Sequence, residues 1–390
     1  MGRLRVSRLL ASGAMAVAGI SGVAYGLSTP AAVAAKVSPT PGTAAHTTAL
    51  TMDGQHVTTY LLEGSRSYTP HAAPHSYDDY HCTLLNPHIT KSSYIVATNF
   101  LPESVEVHHS ILFLVPPDEA AAAEKADSVG KGWTCFGESP IPGLPAQDIS
   151  ATPWLAGWGP GAPENIEPLG TGMPIAAGSL VIMQIHYNLL LGDKPVRSKM
   201  QLMTVPGTTN LKPLSISLYV APPDIPCPAD VHGPLCNRAA SLKLTGEEFG
   251  QSQVNFVNEI EWICGRSVTD PPGGDSTTCT WPVGKYGNIV RLAAHEHLLG
   301  IHMKVVLNPG TAKAQTLLNV VYNFHDQRGY NLAKPVPVTP SDKISVTCTY
   351  NPKLRQELPL LRDLPPQYIT WGDGSADEMC LAIVLMTPPG

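Results

Sequence analysis

The chain carries little charge and few long apolar runs. Asp, Glu, Lys and Arg make up only 14% of its 390 residues, with a formal net charge of −6. There is no basic run and no interleaving of basic with aromatic residues, so nucleic acid is not an expected partner. Beyond residue 35 no stretch is apolar for long enough to cross a bilayer, and no stable membrane insertion is expected after leader removal. The eight cysteines contain no C-x-x-C, which excludes zinc ribbons and thioredoxin-type redox chemistry. No Gly-rich nucleotide loop, nucleophile elbow or haem-attachment motif occurs. A zinc-protease H-E-x-x-H would need histidine at position 299, where the chain has Leu299. Carboxylate clusters suited to calcium or magnesium are missing as well.

What is present points to strands. Proline (38) and glycine (34) are abundant and hydrophobic residues reach 43%, a mix that suits many short strands joined by turns. Residues 1–35 read as an export signal: Arg3, Arg5 and Arg8 precede an apolar stretch, and Ala32-Val33-Ala34-Ala35 offers a cleavage site. Glycines 13, 19 and 22 interrupt that stretch and argue against an uncleaved anchor. Residues 36–64 read as a flexible Pro/Thr/Ala-rich leader. Asp118–Ser128 is the one convincing short helix, capped by Asp118. A composition break near Val205–Pro213 divides two antiparallel β-sandwich domains in tandem, 65–210 and 211–390. The apolar segments assigned to the second include Val254–Cys264 and Ile289–His297. The fold class is therefore all-β, with jelly-roll-like sandwiches.

Cysteine usage indicates an oxidising compartment, hence a secreted, extracellular protein. Proximity suggests Cys227–Cys236 and Cys264–Cys279. Cys82, Cys135, Cys348 and Cys380 then remain, most simply paired within each half.

Four segments bear residues with chemistry. In Arg291-Leu-Ala-Ala-His295-Glu-His297-Leu, residues two apart on a strand share a face, which presents both imidazoles together. In Val105-Glu-Val-His108-His109-Ser, adjacent histidines on a regular strand point oppositely, so joint ligation requires a bulge or a strand end. Leu101–Ser104 is one place for such an irregularity. His186 stands alone in the apolar run Ser179–Asn188, with Gln184 on its face and placed to support it. Met379 lies between an acidic pair and Cys380 at the start of an apolar strand. Taken singly, each is as easily a core or surface residue.

In order along the chain, these segments resemble the copper type II, ascorbate-dependent monooxygenases, the family of dopamine β-hydroxylase and the peptidylglycine α-hydroxylating enzymes. The resemblance, to a bacterial-type secreted member, spans roughly residues 65–386. It rests on His108-His109, Gln184-Ile-His186-Tyr187, His295-Glu-His297-Leu, Val346-Thr-Cys348-Thr-Tyr-Asn351 and Asp377-Glu-Met379-Cys380, with Asp78-Asp-Tyr-His-Cys82 as an opening segment. It implies two coppers per chain. His108, His109 and His186 would hold an electron-storing copper, and His295, His297 and Met379 the copper that meets dioxygen and substrate. It also implies Cys82–Cys135 and Cys348–Cys380. The implied partners are a small-molecule substrate, O2 and ascorbate or an equivalent reductant.

Ligand chemistry agrees, since imidazole suits copper in either oxidation state and a thioether favours Cu(I). The peptide-hydroxylating branch carries an arginine where this chain has Ala293, and Asn and Tyr where it has Leu381 and Ile383. The clamp for a peptide carboxylate is thus absent, and a small aromatic or aliphatic substrate is expected. A non-catalytic secreted copper-storage protein on the same scaffold is the alternative reading.

Overall fold

The computed structural model describes residues 44–52, 55–72, 76–135, 141–142 and 154–389. The expected export signal and the first part of the leader lie outside them. The architecture is all-β with few helices. Among the described residues, strands before residue 214 form one set of sheets and strands after it form another, with no pairing between the sets.

In the first set, one sheet runs Trp133–Thr134, Asp78–Leu85, Leu180–Asn188, Val107–Val115, Trp154–Trp158. Its centre is Leu180–Asn188, buried at all nine positions and antiparallel to both neighbours. That explains a strand apolar nearly throughout rather than alternating. A second sheet contains Gln55–Glu63, Lys199–Pro206 and Ser93–Leu101. Its first strands correct the expected leader. Ala44–Met52 and Gln55–Glu63 pair as a hairpin, and the latter also pairs with Lys199–Pro206. The β-branched and aromatic residues of Val57-Thr-Thr-Tyr-Leu-Leu62 are a strand signal that the Pro/Thr-rich residues before them obscured.

The second set comprises a sheet of Ser215–Val220, Leu381–Thr387, Gly287–His295 and Gly329–Val338, and another of Ser276–Pro282, Lys343–Tyr350, Gly300–Leu307 and Gln315–Val321. Leu292 and Val384 from one and Val305 and Val346 from the other share a single core. A further core joins Leu112 and Val181 of the first set to Ile216, Leu381 and Leu385 of the second, and continues into Val257 and Ile260.

Those last two residues belong to a helix, which corrects the strand reading of Val254–Cys264. Arg238–Phe249 and Gln251–Ile263 are consecutive helices separated by Gly250 at φ 93°. The second buries Gln253, Val257, Ile260 and Glu261, a spacing of three to four that marks one helical face. The helix expected at Asp118–Ser128 is Ala120–Ala126; Glu119 occupies the cap position and its side chain accepts no capping hydrogen bond, so Asp118 is not the cap.

All eight cysteines are paired: Cys82–Cys135, Cys227–Cys236, Cys264–Cys279 and Cys348–Cys380. The last closes a separation of 32 residues and immediately follows Met379. Replacing Cys348 and Cys380 together by alanine is expected to cost roughly 2–5 kcal/mol, chiefly by freeing the unfolded chain. Urea unfolding with and without the pair measures it, and an unchanged midpoint would contradict the structural role.

Candidate metal centre

The first-half site is assembled by one irregularity. Across the pair Val107–Val115 and Leu180–Asn188, His109 faces His186 and Val107 faces Tyr187, so His108 is an extra residue opposite nothing. This is a β-bulge, and it turns two adjacent histidines toward one side. The irregularity lies at His108 itself rather than in Leu101–Ser104. The ligand atoms of His108, His109 and His186 lie within 4.8 Å of one another, all three residues buried.

Each ring's state follows from its partners. His186 Nε2 lies 2.9 Å from Asp78 Oδ1 and donates to it, so Nδ1 keeps a lone pair. The Nδ1 atoms of His108 and His186 are 2.9 Å apart, the separation of a hydrogen bond or of two donors sharing one cation. Tyr80 donates its hydroxyl to the Asp373 carbonyl at 2.6 Å and therefore accepts from His109 Nε2 at 3.4 Å. His109 Nδ1 is then a lone pair, buried with no hydrogen-bond partner, and His108 Nε2 is likewise buried without a partner. Unpartnered buried nitrogens cost stability unless something else satisfies them, which a cation does.

Asp78 does more than orient His186. It also accepts the Ser375 N–H at 3.0 Å and the Ser375 hydroxyl at 2.6 Å, tying the histidine strand to the turn that precedes Met379. Gln184, expected to support His186, instead donates to the Cys135 carbonyl at 3.3 Å. Replacing Asp78 by alanine is expected to weaken metal binding at His108, His109 and His186 by about 10–100-fold. Competition titration against a chelator checks this, and an unchanged affinity would remove Asp78 from the site.

In the second half, the strand expected to run to His297 ends at His295. His297 lies in the following turn, with ring centroids 5.3 Å apart and planes at 88°. Glu378 holds that turn by accepting the N–H groups of His297 (2.9 Å), Leu299 (2.6 Å) and Met379 (3.1 Å). Burial raises its pKa to about 8 against these donors. A single carboxyl group thus fixes the backbone of His297 and Met379 together. His297 Nδ1 donates to the Asp377 carbonyl at 3.2 Å, which leaves Nε2 a buried lone pair without a partner. His295 Nδ1 lies 2.8 Å from Gln327 Oε1. The Gln327 amide is oriented by its Nε2, which donates to the Phe324 carbonyl at 3.0 Å, so His295 also keeps a lone pair on Nε2. Gly159 leaves room for that amide, because a Cβ there would stand 2.8 Å from it.

The two groups of histidines adjoin. Ring centroids of His108 and His297 are 5.8 Å apart, and those of His109 and His295 are 6.0 Å apart. His109, His295 and Met379 line one cavity of about 560 Å³, with Tyr80, Trp154, Trp158, Trp371 and, from the positions singled out in sequence, Ala293, Leu381 and Ile383. Met379 is almost wholly buried.

Burial, and secondarily the neighbouring imidazoles, holds the pKa values of His108 and His109 well below the ordinary histidine range. The stability they contribute is complete above about pH 6.5 and is lost as the pH falls below it. A metal ion held there would not compete with their protons near neutrality. Between pH 7.5 and 5.5 its affinity is expected to fall by less than about tenfold, where two exposed imidazoles would lose about 100-fold. Titration at the two pH values checks this; a hundredfold loss would contradict it.

Asp78, Gln327 and Glu378 carry no local sequence signal for these roles. Asp78 lies in a recognised segment but 108 positions from the histidine it supports.

These features define an all-β chain with a buried three-histidine group able to hold a metal ion. Residues 276–388 match the family model for the C-terminal domain of copper type II ascorbate-dependent monooxygenases. No curated protein matches. A solved structure of allantoicase aligns over 83% of this chain and 81% of its own, at 8% identity and a TM-score of 0.20, a likeness from which nothing about the fold follows.

Proposed function

We propose that the protein is a secreted dicopper monooxygenase that hydroxylates a C–H bond of a small substrate with O2. Ascorbate or a similar reductant supplies the electrons, and no flavin, haem or nicotinamide is required. One oxygen atom enters the substrate; the other leaves as water after two electrons and two protons are taken up. The observation that carries this reading is the convergence of the two histidine groups beside one cavity whose wall holds Met379.

In this reading His108, His109 and His186 hold one copper in the domain 65–210, and His295, His297 and Met379 hold the other in the domain 211–390. The donor chemistry fits: three neutral imidazoles suit a copper that cycles in oxidation state, and two imidazoles with a thioether favour Cu(I) while leaving a position open. Copper, when bound, supplies one-electron transfer and a binding position for dioxygen. The chain supplies the rest. Asp78 and Gln327 hold His186 and His295 in the tautomers that present a lone pair. Glu378 fixes His297 relative to Met379. Apolar walls at Leu381, Ile383, Trp371 and Trp158 exclude water and seat the substrate against His295 and Met379. Four disulfides agree with export to an oxidising compartment. The cavity favours turnover over copper storage, which has no use for a substrate-sized space beside the ligands.

The test is incubation of copper-loaded protein with ascorbate, ¹⁸O2 and a panel of small aromatic and aliphatic compounds. A product carrying one ¹⁸O atom is expected; copper-loaded protein that never forms one would refute the reading.

A further inference from the structure

We propose, resting on the reading of this cavity as the substrate site, that it admits neutral, largely apolar molecules and rejects both carboxylates and ammonium ions. The cavity contains one buried arginine, Arg291, which would ordinarily mark a carboxylate anchor. Most of its donors are already taken. Nε donates to Asn331 Oδ1 at 2.6 Å, one terminal nitrogen donates to Asn165 Oδ1 at 2.7 Å and pairs with Glu167 Oε2 at 3.4 Å, and the other donates to the Ile166 carbonyl. Of five guanidinium N–H groups, four have protein acceptors. The charge is also matched, because Glu167 is buried beside it and accepts from Asn165 at 2.9 Å as well.

An anionic substrate would have to displace Glu167 or be buried without a counter-charge. An ammonium ion would have to displace Arg291. Either costs more than it returns where the pair lies, because Arg291 and Glu167 are both buried. The other charged lining residues do not change this balance. Glu164 is exposed, Arg328 is paired with Asp326 through two contacts of 2.7 Å, and Asp373 is engaged within the protein. The rest of the wall adds no further carboxylate, lysine or arginine and is largely apolar, with Ile383 and Leu381 lining the same space. Arg291 and Glu167 therefore close the cavity as a neutral pair, joining the Asn165–Ile166 strand of the first set to the Gly287–His295 strand of the second.

The experiment is calorimetric binding of three matched probes, 2-phenylethanol, 2-phenylethylamine and phenylacetate, to the full chain. It is run copper-loaded and again metal-free, where direct ligation of copper by the amine or carboxylate cannot contribute; the metal-free order decides. The alcohol is expected to bind at least about tenfold more tightly than either ion. Glu167→Gln, which keeps an acceptor for Arg291 but leaves its charge unmatched, should strengthen phenylacetate binding about tenfold and leave the amine weak. Ile383→Trp, filling the cavity, should weaken the alcohol. Either ion binding the wild type as tightly as the alcohol would overturn the proposal, and so would no binding by any probe. Because binding is read without turnover, the expected order in a protein that never hydroxylates would sink the monooxygenase reading alone. Hydroxylation by a cavity that prefers an ion would sink this proposal alone.

Discussion

Replacing Met379 by isoleucine is expected to lower turnover by more than about 100-fold while leaving one equivalent of copper bound at His108, His109 and His186. The substitution keeps an apolar side chain of similar volume at an almost fully buried position, so packing is little disturbed. What disappears is the soft sulfur that favours Cu(I), the state that must meet dioxygen. The loss should exceed the 10–100-fold typical of residues that only support a ligand. The backbone at 379 stays where it is, because it is held by Glu378, by the Tyr350 hydroxyl on the Met379 carbonyl at 3.3 Å, and by the Cys348–Cys380 bond. Copper analysis and oxygen uptake, run on the same preparation, separate the two effects. Unchanged activity would remove Met379 from the site.

His108→Ala is expected to have an effect of similar size by a different route. It removes one of three nitrogens that lie within 4.8 Å of one another, and the chain should retain about one copper instead of two. The remaining ion should be the one at His295, His297 and Met379, since His297 is oriented by Asp377 and Glu378 and not by His108. Turnover should fall by more than about 100-fold, because only one stored electron remains where the reaction needs two. Loss of both coppers together would contradict two separately built sites. The 5.8 Å approach of His108 to His297 makes this a demanding test.

The two variants probe a candidate site whose proposed ligands were more legible in sequence than the structure around them. Histidine and methionine are few and chemically distinctive, so their order along the chain stood out. The devices that aim them are backbone events or distant contacts. The bulge at His108 depends on pairing with Leu180–Asn188, which local periodicity does not encode. Strand alternation was expected to present His295 and His297 together, but the strand ends at His295 and His297 stands in a turn pinned by Glu378, 81 positions away. Gln184 was expected to support His186 because it shares a strand face; a carboxylate on the neighbouring strand does so instead. The all-β class followed from proline, glycine and short apolar runs. The helix Gln251–Ile263 was hidden because its valines and isoleucines are also good strand formers, and only their spacing marks a helix. The hairpin of Ala44–Met52 and Gln55–Glu63 was hidden by the Pro- and Thr-rich composition just before it.

The proposed function requires six side chains to build two copper sites, only one of which contains sulfur. X-ray absorption on the reduced protein loaded with two equivalents of copper tests it most directly. Nitrogen scatterers are expected on both coppers and sulfur on half of them, with the sulfur signal absent in Met379→Ile. A spectrum without sulfur in the wild-type protein, or one unchanged by that substitution, would contradict it.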